Sequence, residues 1–365
     1  MIEPNKSKPI WWQVFVDAIE SLPLPQRTKG FARLSIMLAN RSEQSAAASM
    51  ALRAWQEARE NGQRSENEDE SIRQALSIVT ANYHTQISTD EVRIAAWEAS
   101  LRDVIKPGML VLEIGTGSGI LAMLAARAGA EVVSCEKDPV LAAVAKATFR
   151  LNGLDQRIRV IGKSSQDLQV SADLPRLADV LMLDLFADRL FDFRPFEIMR
   201  AARRLLRPDA IVVPREVSLQ AALAEFRRWF RLVPGAVSGF DLSFLGDLSP
   251  MTTNLDPREP DLSLRSAAET MVSAVLTMDL PRPGGISEKT MLSGGGPVNG
   301  VAFWLRVELA PGHVLEAKPG LAPHGFYARP GFHAFQRTLN TEVSQPCRIR
   351  LCWEDNAMSI SLVDR

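Results

Sequence analysis

Val111-Leu112-Glu113-Ile114-Gly115-Thr116-Gly117-Ser118-Gly119 reads as a buried strand that breaks into three glycines at alternate positions. Glycine accepts left-handed backbone and lets the main chain approach a ligand with no Cβ in the way. A strand that ends in such a triplet and runs on into an apolar helix from Ile120 is built to receive a nucleotide-like ligand at the helix N-terminus. Glu113 stands two residues before the first glycine, where a carboxylate holds water or an amine near the loop. Glu136 closes the next predicted strand about 20 residues after the loop, where a carboxylate accepts both hydroxyls of a ribose. Dinucleotide-binding loops place their last Gly or Ala one position further on; here that position is Ile120, which disfavours a nicotinamide oxidoreductase.

Outward from this loop, short apolar β-type runs alternate with helical stretches between Asp90 and Pro214. Strands are predicted at 109–114, 131–135, 158–161, 180–183 and 210–213, with helices at 121–128, 139–152 and 196–206. This alternation predicts an α/β, doubly wound parallel sheet. After Pro214 the helical pattern fades, and runs at 301–309, 332–339 and 347–353 predict a β-rich, barrel-like second unit. The clusters 281–285 and 294–297, rich in Gly and Pro, read as turns between strands. Upstream, 42–61 reads as a helix capped by Ser42 and stopped by Gly62, and Trp11, Trp12, Phe15 and Ile19 share one apolar helix face. The charged stretch 60–69 reads as a linker or exposed loop. The expected organisation is a helical extension at 1–75, a cofactor-binding unit at 76–214 and a β-rich unit at 215–365.

Composition narrows the functional classes. The chain has 365 residues, 46% apolar and 23% charged, the balance of a globular protein. Lys and Arg (42) nearly cancel Asp and Glu (43), so no overall field draws it to nucleic acid or anionic lipid. The polar N-terminus and the lack of any run of about 18 apolar residues predict a cytoplasmic protein with no membrane span. Cys135, Cys347 and Cys352 form no close pair and read as buried free thiols, and the four histidines show no ligand spacing, so no metal is expected.

The glycine loop and its surroundings resemble class I methyltransferases, and among them the protein arginine N-methyltransferase family. The resemblance runs from about Ile87 to the C-terminus and leaves the first 75 or so residues outside it. It implies S-adenosyl-L-methionine as cofactor, lined by Gly115, Thr116, Gly117 and Gly119, with Glu113 near its amino-acid end and Glu136 on its ribose. Asp90-Glu91-Val92-Arg93 resembles the family's short helix motif that closes over the cofactor, so Arg93 is expected to pair with the cofactor's carboxylate. Gly162-Lys163-Ser164-Ser165-Gln166-Asp167 resembles the segment beside the adenine, which makes Lys163 and Ser165 candidate contacts. Gly239-Phe240-Asp241-Leu242-Ser243 resembles the family's early barrel segment, and by analogy 245–262 is the arm through which family members dimerise. Tyr83-His84 is a candidate cover for cofactor or substrate, or a lid-packing pair.

In that family two glutamates on a loop after the fourth strand embrace the substrate guanidinium. Here Asp184 falls at the first of those positions and Phe193 at the second, with Asp192 or Asp188 as the nearest second carboxylate. Arg189 and Arg194 add positive charge to the same loop, which argues for a less basic acceptor. Gly331-Phe332-His333-Ala334-Phe335-Gln336 resembles the family's Thr-His-Trp loop without its Thr or Trp, and His333 is expected to orient Asp184 or Asp188 or to take a proton. The resulting expectation is a methyltransferase acting on an arginine or guanidine-like group in a protein or peptide, with a homodimer as the working form. A small-molecule acceptor is the second enzymatic reading, and a cofactor-binding scaffold without catalysis is the third.

Overall fold

The computed structural model describes residues 16–40, 44–60, 66–79, 84, 87–186, 190–192, 194–229, 236–242, 244–245, 251–276, 280–320, 329–354 and 357–363. A helical stretch at 16–20 precedes α1 (Leu24–Ala39), α2 (Gln44–Glu60) and α3 (Glu66–Val79). Ala47, Ala51, Ala54 and Ala58 give α2 a stripe of small apolar residues at helical spacing, and Phe31, Leu34 and Leu38 of α1 bury against it. Ile19 packs on this cluster, while Trp11, Trp12, Phe15, Ser42 and Gly62 lie outside the described residues. The expected linker at 60–69 is helical from Glu66 onward. Ile72 and Ala75 supply the buried stripe that the charged flank obscures in the sequence.

The central unit runs α4 (Glu91–Val104), β1 (Leu110–Ile114), α5 (Ile120–Arg127), β2 (Glu131–Cys135), α6 (Pro139–Leu151), β3 (Ile158–Ile161), β4 (Ala178–Leu183), α7 (Pro195–Ala202) and β5 (Leu206–Val213). Its five strands are parallel in the order β3-β2-β1-β4-β5. β1 is buried at all five positions, as a central strand covered on both faces requires. The chain leaves β1 for β2 on one side and returns as β4 on the other. The crevice beyond the carboxyl ends of β1 and β4 is therefore the topological switch point, where ligands of such sheets bind. The helix predicted at 196–206 stops at Ala202, passes through a 3₁₀ turn at Arg203–Leu205 and becomes β5, because Pro208 disfavours helical backbone at the residue before it.

Beyond a cis Val213–Pro214 bond the chain forms an eight-stranded antiparallel sheet. It comprises β6 (Glu216–Phe226) and, after the separate hairpin of β7 (Ala236–Val237) and β8 (Phe240–Asp241), β9 (Thr252–Asn254), β10 (Leu262–Leu264), β11 (Glu269–Val275), β12 (Gly284–Ala310), β13 (His313–Glu316), β14 (Gly331–Glu354) and β15 (Ala357–Val363). Segment 239–242 lies at that hairpin, ahead of the later strands of the main sheet; Ser243 lies outside the described residues. The glycine clusters expected to be turns are instead strand from Gly284 on. Gly285 faces Trp353 in register, and Gly295 and Gly296, both with φ of 88°, follow a register shift between Leu292 and Gly294, where a bulge bends β12. The runs 332–339 and 347–353 are parts of one strand, β14.

One continuous apolar core joins the parallel sheet to the antiparallel one, and the cluster of α1, α2 and α3 is separate from it. α4 bridges the two sheets: it packs on β12 and β13, and His313 Nε2 lies 2.7 Å from Asp103 Oδ2. α2 packs on α6. Among the described residues no helix is long and apolar enough to cross a membrane.

Candidate active site

The loop after β1 has the left-handed backbone its glycines suggest, with φ of 84°, 51° and 85° at Gly115, Gly117 and Gly119. At Gly119, which caps α5, a Cβ would lie 2.5 Å from the Phe149 ring of α6, so only glycine lets α5 start this close to its neighbour. Glu136, at the end of β2, steadies the loop: its Oε2 accepts from Gly117 N at 3.1 Å and its Oε1 from Asp138 N at 2.9 Å. Glu113 is 2% exposed, and its carboxyl accepts hydrogen bonds from the hydroxyls of Ser134, its register partner on β2, and Thr116. Burial pushes its pKa up to about 8, against the opposing effect of those two hydroxyls. Thr116 and Ser134 also touch each other, so the three side chains lock the loop to β2. Glu113 thus sits inside the wall of the crevice.

Arg93 and Asp184 meet. Asp90 caps α4, accepting from Arg93 N at 3.0 Å, and this fixes the first helical turn that carries the guanidinium. Arg93 Nε donates to Asp184 Oδ2 at 2.8 Å, Nη2 donates to the same oxygen, and Nη1 donates to the Ile87 carbonyl at 3.2 Å. The side chains are 3% and 9% exposed. Asp184 Oδ1 is buried and accepts no hydrogen bond from the described residues, an arrangement that costs free energy unless a donor arrives. The glycine loop and the Asp184 loop adjoin, since a Cβ on Gly115 would lie 3.0 Å from Leu185 Cδ2.

Beyond Asp184, Phe186 and Phe191 are buried against Phe196 of α7, with ring centroids 6.1 and 5.9 Å away. Phe191 also stacks on Trp353 of β14, at 5.3 Å and an interplanar angle of 9°. Asp192 is half-buried in the turn before α7, and Asp188, Arg189 and Phe193 lie outside the described residues. Arg194 is engaged by Glu197 at 2.6 Å, so its charge is locally compensated.

The remaining candidates separate. Ser165 is buried in the 3₁₀ turn after β3. Lys163 points to Asp173, 2.7 Å away, and this hydrogen bond lowers the Asp173 pKa; its side chain is committed to closing the 163–173 loop. His333 does not bond to Asp184: its Nδ1 lies 2.8 Å from Thr252 Oγ1, because β9 pairs with β14 there, and burial lowers its pKa. His84 lies over the glycine loop, its Nδ1 3.1 Å from where a Gly117 Cβ would be, with its pKa lowered by burial against the opposing charge of Asp138. Tyr83 is outside the described residues. Trp353 and Ser134 escaped the sequence reading, since only strand register brings them to the site. Among the described residues no His, Cys, Asp and Glu cluster has the makings of a metal site.

Comparison with known proteins bears on this geometry. Residues 63–212 match the model of the ribosomal protein L11 methyltransferase (PrmA) family. An arginine N(omega)-methyltransferase of Streptomyces achromogenes subsp. streptozoticus is 28% identical over 288 residues, 77% of this chain and 78% of that protein. Protein arginine N-methyltransferase 7 of Drosophila grimshawi is 32% identical over 160 residues, and that of Anopheles gambiae 38% over 119, covering 40% and 32% of this chain. The chain spans only 23% and 17% of the length of those two insect proteins. In structure it is similar to the Trypanosoma brucei PRMT1 enzyme-prozyme complex with AdoHcy (TM-score 0.68, 18% identity, 78% of this chain and 92% of that one). It is also similar to protein arginine methyltransferase 10 of Arabidopsis thaliana (TM-score 0.62, 16% identity, 78% and 96%). These two likenesses establish the fold.

Proposed function

We propose that this chain is a class I methyltransferase that takes its methyl group from S-adenosyl-L-methionine and transfers it to a guanidino nitrogen of arginine. The residues present suit the donor. Glu136 has carboxylate lone pairs for ribose hydroxyls beyond the two backbone amides it now accepts from, Gly117 leaves room for close backbone approach, and Arg93 offers a guanidinium at the N-terminus of α4. Ser165, buried in the turn after β3, is our candidate for a contact to the base, and His84 lies against the glycine loop. When bound, the donor supplies a sulfonium methyl for in-line displacement.

The observation that carries the acceptor is the unsatisfied Oδ1 of Asp184. With Oδ2 tied to Arg93, the carboxylate is held in one orientation, and its second oxygen is left for an N–H of the incoming guanidinium. That bond orients the group and draws its positive charge toward the nitrogen facing Asp184, which leaves the other nitrogen richer in electrons to attack the methyl group as the C–S bond breaks, its surplus proton passing to solvent. Asp184→Asn keeps the shape and the contact to Arg93 but removes the charge. Turnover of labelled donor is expected to fall roughly a hundredfold with S-adenosylhomocysteine binding retained; wild-type turnover would remove Asp184 from this role.

A second reading has a specific support: the Streptomyces relative, matched along most of both chains, is named for arginine and not for protein arginine. Free L-arginine is then the acceptor. Parallel assays with free arginine and an arginine-containing peptide separate the two readings. The working form we propose is a homodimer, supported by the exposed apolar side chains Val237, Phe240, Phe244, Leu245 and Met251 on and beside the β7–β8 hairpin; of the arm expected at 245–262, residues 246–250 lie outside the described set.

A further inference from the structure

The Asp184 loop is gripped from the opposite sheet. Phe191 lies between two rings, Phe196 of α7 on one side and Trp353 on the other, and the Trp353 contact is a near-parallel stack across the boundary between the two sheets. The indole is itself held in place. Its Nε1 donates to the Arg282 carbonyl at 3.1 Å, and it lies flat on Gly285, where a Cβ would come within 2.2 Å of the ring. The same 281–285 segment is tied back to the central unit, because Arg200 of α7 donates to the Pro281 carbonyl. Two contacts carry this clamp to the central unit, Phe191–Trp353 on the loop and Arg200–Pro281 on the helix that follows it, and among the described residues neither involves the glycine loop.

We propose that Trp353 is a positioning residue for methyl transfer: by stacking on Phe191 from the second sheet it fixes the loop that carries Asp184 and so sets how well the acceptor is held. This rests on the reading of Asp184 as the acceptor's carboxylate. A loop free to shift by an ångström loses alignment with the methyl group, and losses of that kind reach about a hundredfold in rate. The role explains why a bulky aromatic is paired with a bare glycine in the neighbouring strand: Gly285 is the seat that sets the height of the indole under Phe191.

The test compares full-length Trp353→Ala, Trp353→Phe and Gly285→Ala with the wild type. Three readouts apply: S-adenosylhomocysteine affinity, steady-state kinetics with the arginine acceptor, and amide hydrogen exchange of 185–192. Trp353→Ala is expected to leave cofactor affinity within about twofold, lower kcat/KM for the acceptor by about tenfold or more and speed exchange of the loop while the 115–119 loop keeps its protection. Trp353→Phe should restore most of the activity, and Gly285→Ala, which displaces the ring without removing it, should reproduce the loss. Unchanged loop exchange, or faster exchange with unchanged acceptor kinetics, overturns the proposal. So does a loss of cofactor binding that matches the loss of turnover, since that is general unfolding. If the wild type methylates a different nucleophile, the arginine reading fails while the same comparison with that acceptor still decides Trp353. If it methylates none, the loop exchange alone decides the clamp.

Discussion

Glu113 carries a proton into the folded state that it would lose in the unfolded chain. Its folded pKa is raised from 4.5 to about 8 by burial, so its contribution to stability is complete below the ordinary value and is lost as pH climbs through about 8. Each unit of such a shift is worth roughly 1.4 kcal/mol. Glu113→Gln keeps an acceptor for Ser134 and Thr116 but cannot ionise. Its melting temperature relative to wild type is therefore expected to rise steadily between pH 5 and pH 8.5 in thermal scans; a constant offset would show that Glu113 does not titrate in this range. At this scale the sequence marks candidate residues and not all their neighbours. Glu113, Glu136 and Arg93 are legible because their spacing from the glycines is local. The partner of Glu113 is Ser134, which only the β1–β2 register reveals, and the partner of Arg93 is Asp184, 91 residues away. His333 bonds to Thr252 and not to Asp184 for the same reason: Thr252 arrives from β9, a three-residue strand that leaves almost no pattern.

Among the elements, α4 starts on a single side-chain cap that also bears on the site. Asp90 is 4% exposed and is the side-chain cap of a helix whose first turn presents Arg93 to the crevice. Asp90→Ala is expected to cost about 1 kcal/mol of stability and to weaken S-adenosylhomocysteine binding by freeing that turn. Calorimetry and titration on one preparation check both, and an intact affinity would separate the cap from the site. The parallel sheet was readable because central strands are continuous apolar runs bounded by turns, and β1, β2 and β3 fall where expected. The antiparallel sheet was harder. Glycine and proline at 281–285 and 294–297 ordinarily mark turns, but here they serve a strand of 27 residues that must bend and accept an indole on its face. Nothing in local sequence distinguishes a glycine that turns the chain from one that makes room.

At the scale of the molecule, the described residues form two apolar cores: one common to both sheets, and one confined to α1, α2, α3 and the stretch before them. Cooperative unfolding follows shared burial, so calorimetry is expected to show two transitions. S-adenosylhomocysteine at about 100 times its Kd should add about 2.7 kcal/mol to the unit that binds it and leave the helical unit unmoved; a single transition that shifts as a whole would show that the α2–α6 contact couples them. Within the larger unit, α4 has one end in each business of the protein. Arg93 stands in its first turn beside Asp184, and Asp103 in its last turn meets His313 on β13. Fourteen residues of helix span about 21 Å, and a helix is stiff along its axis. It acts as a connecting rod: whatever shifts the Arg93–Asp184 pair at one end is expected to move the Asp103–His313 contact at the other, on the same body that holds Trp353.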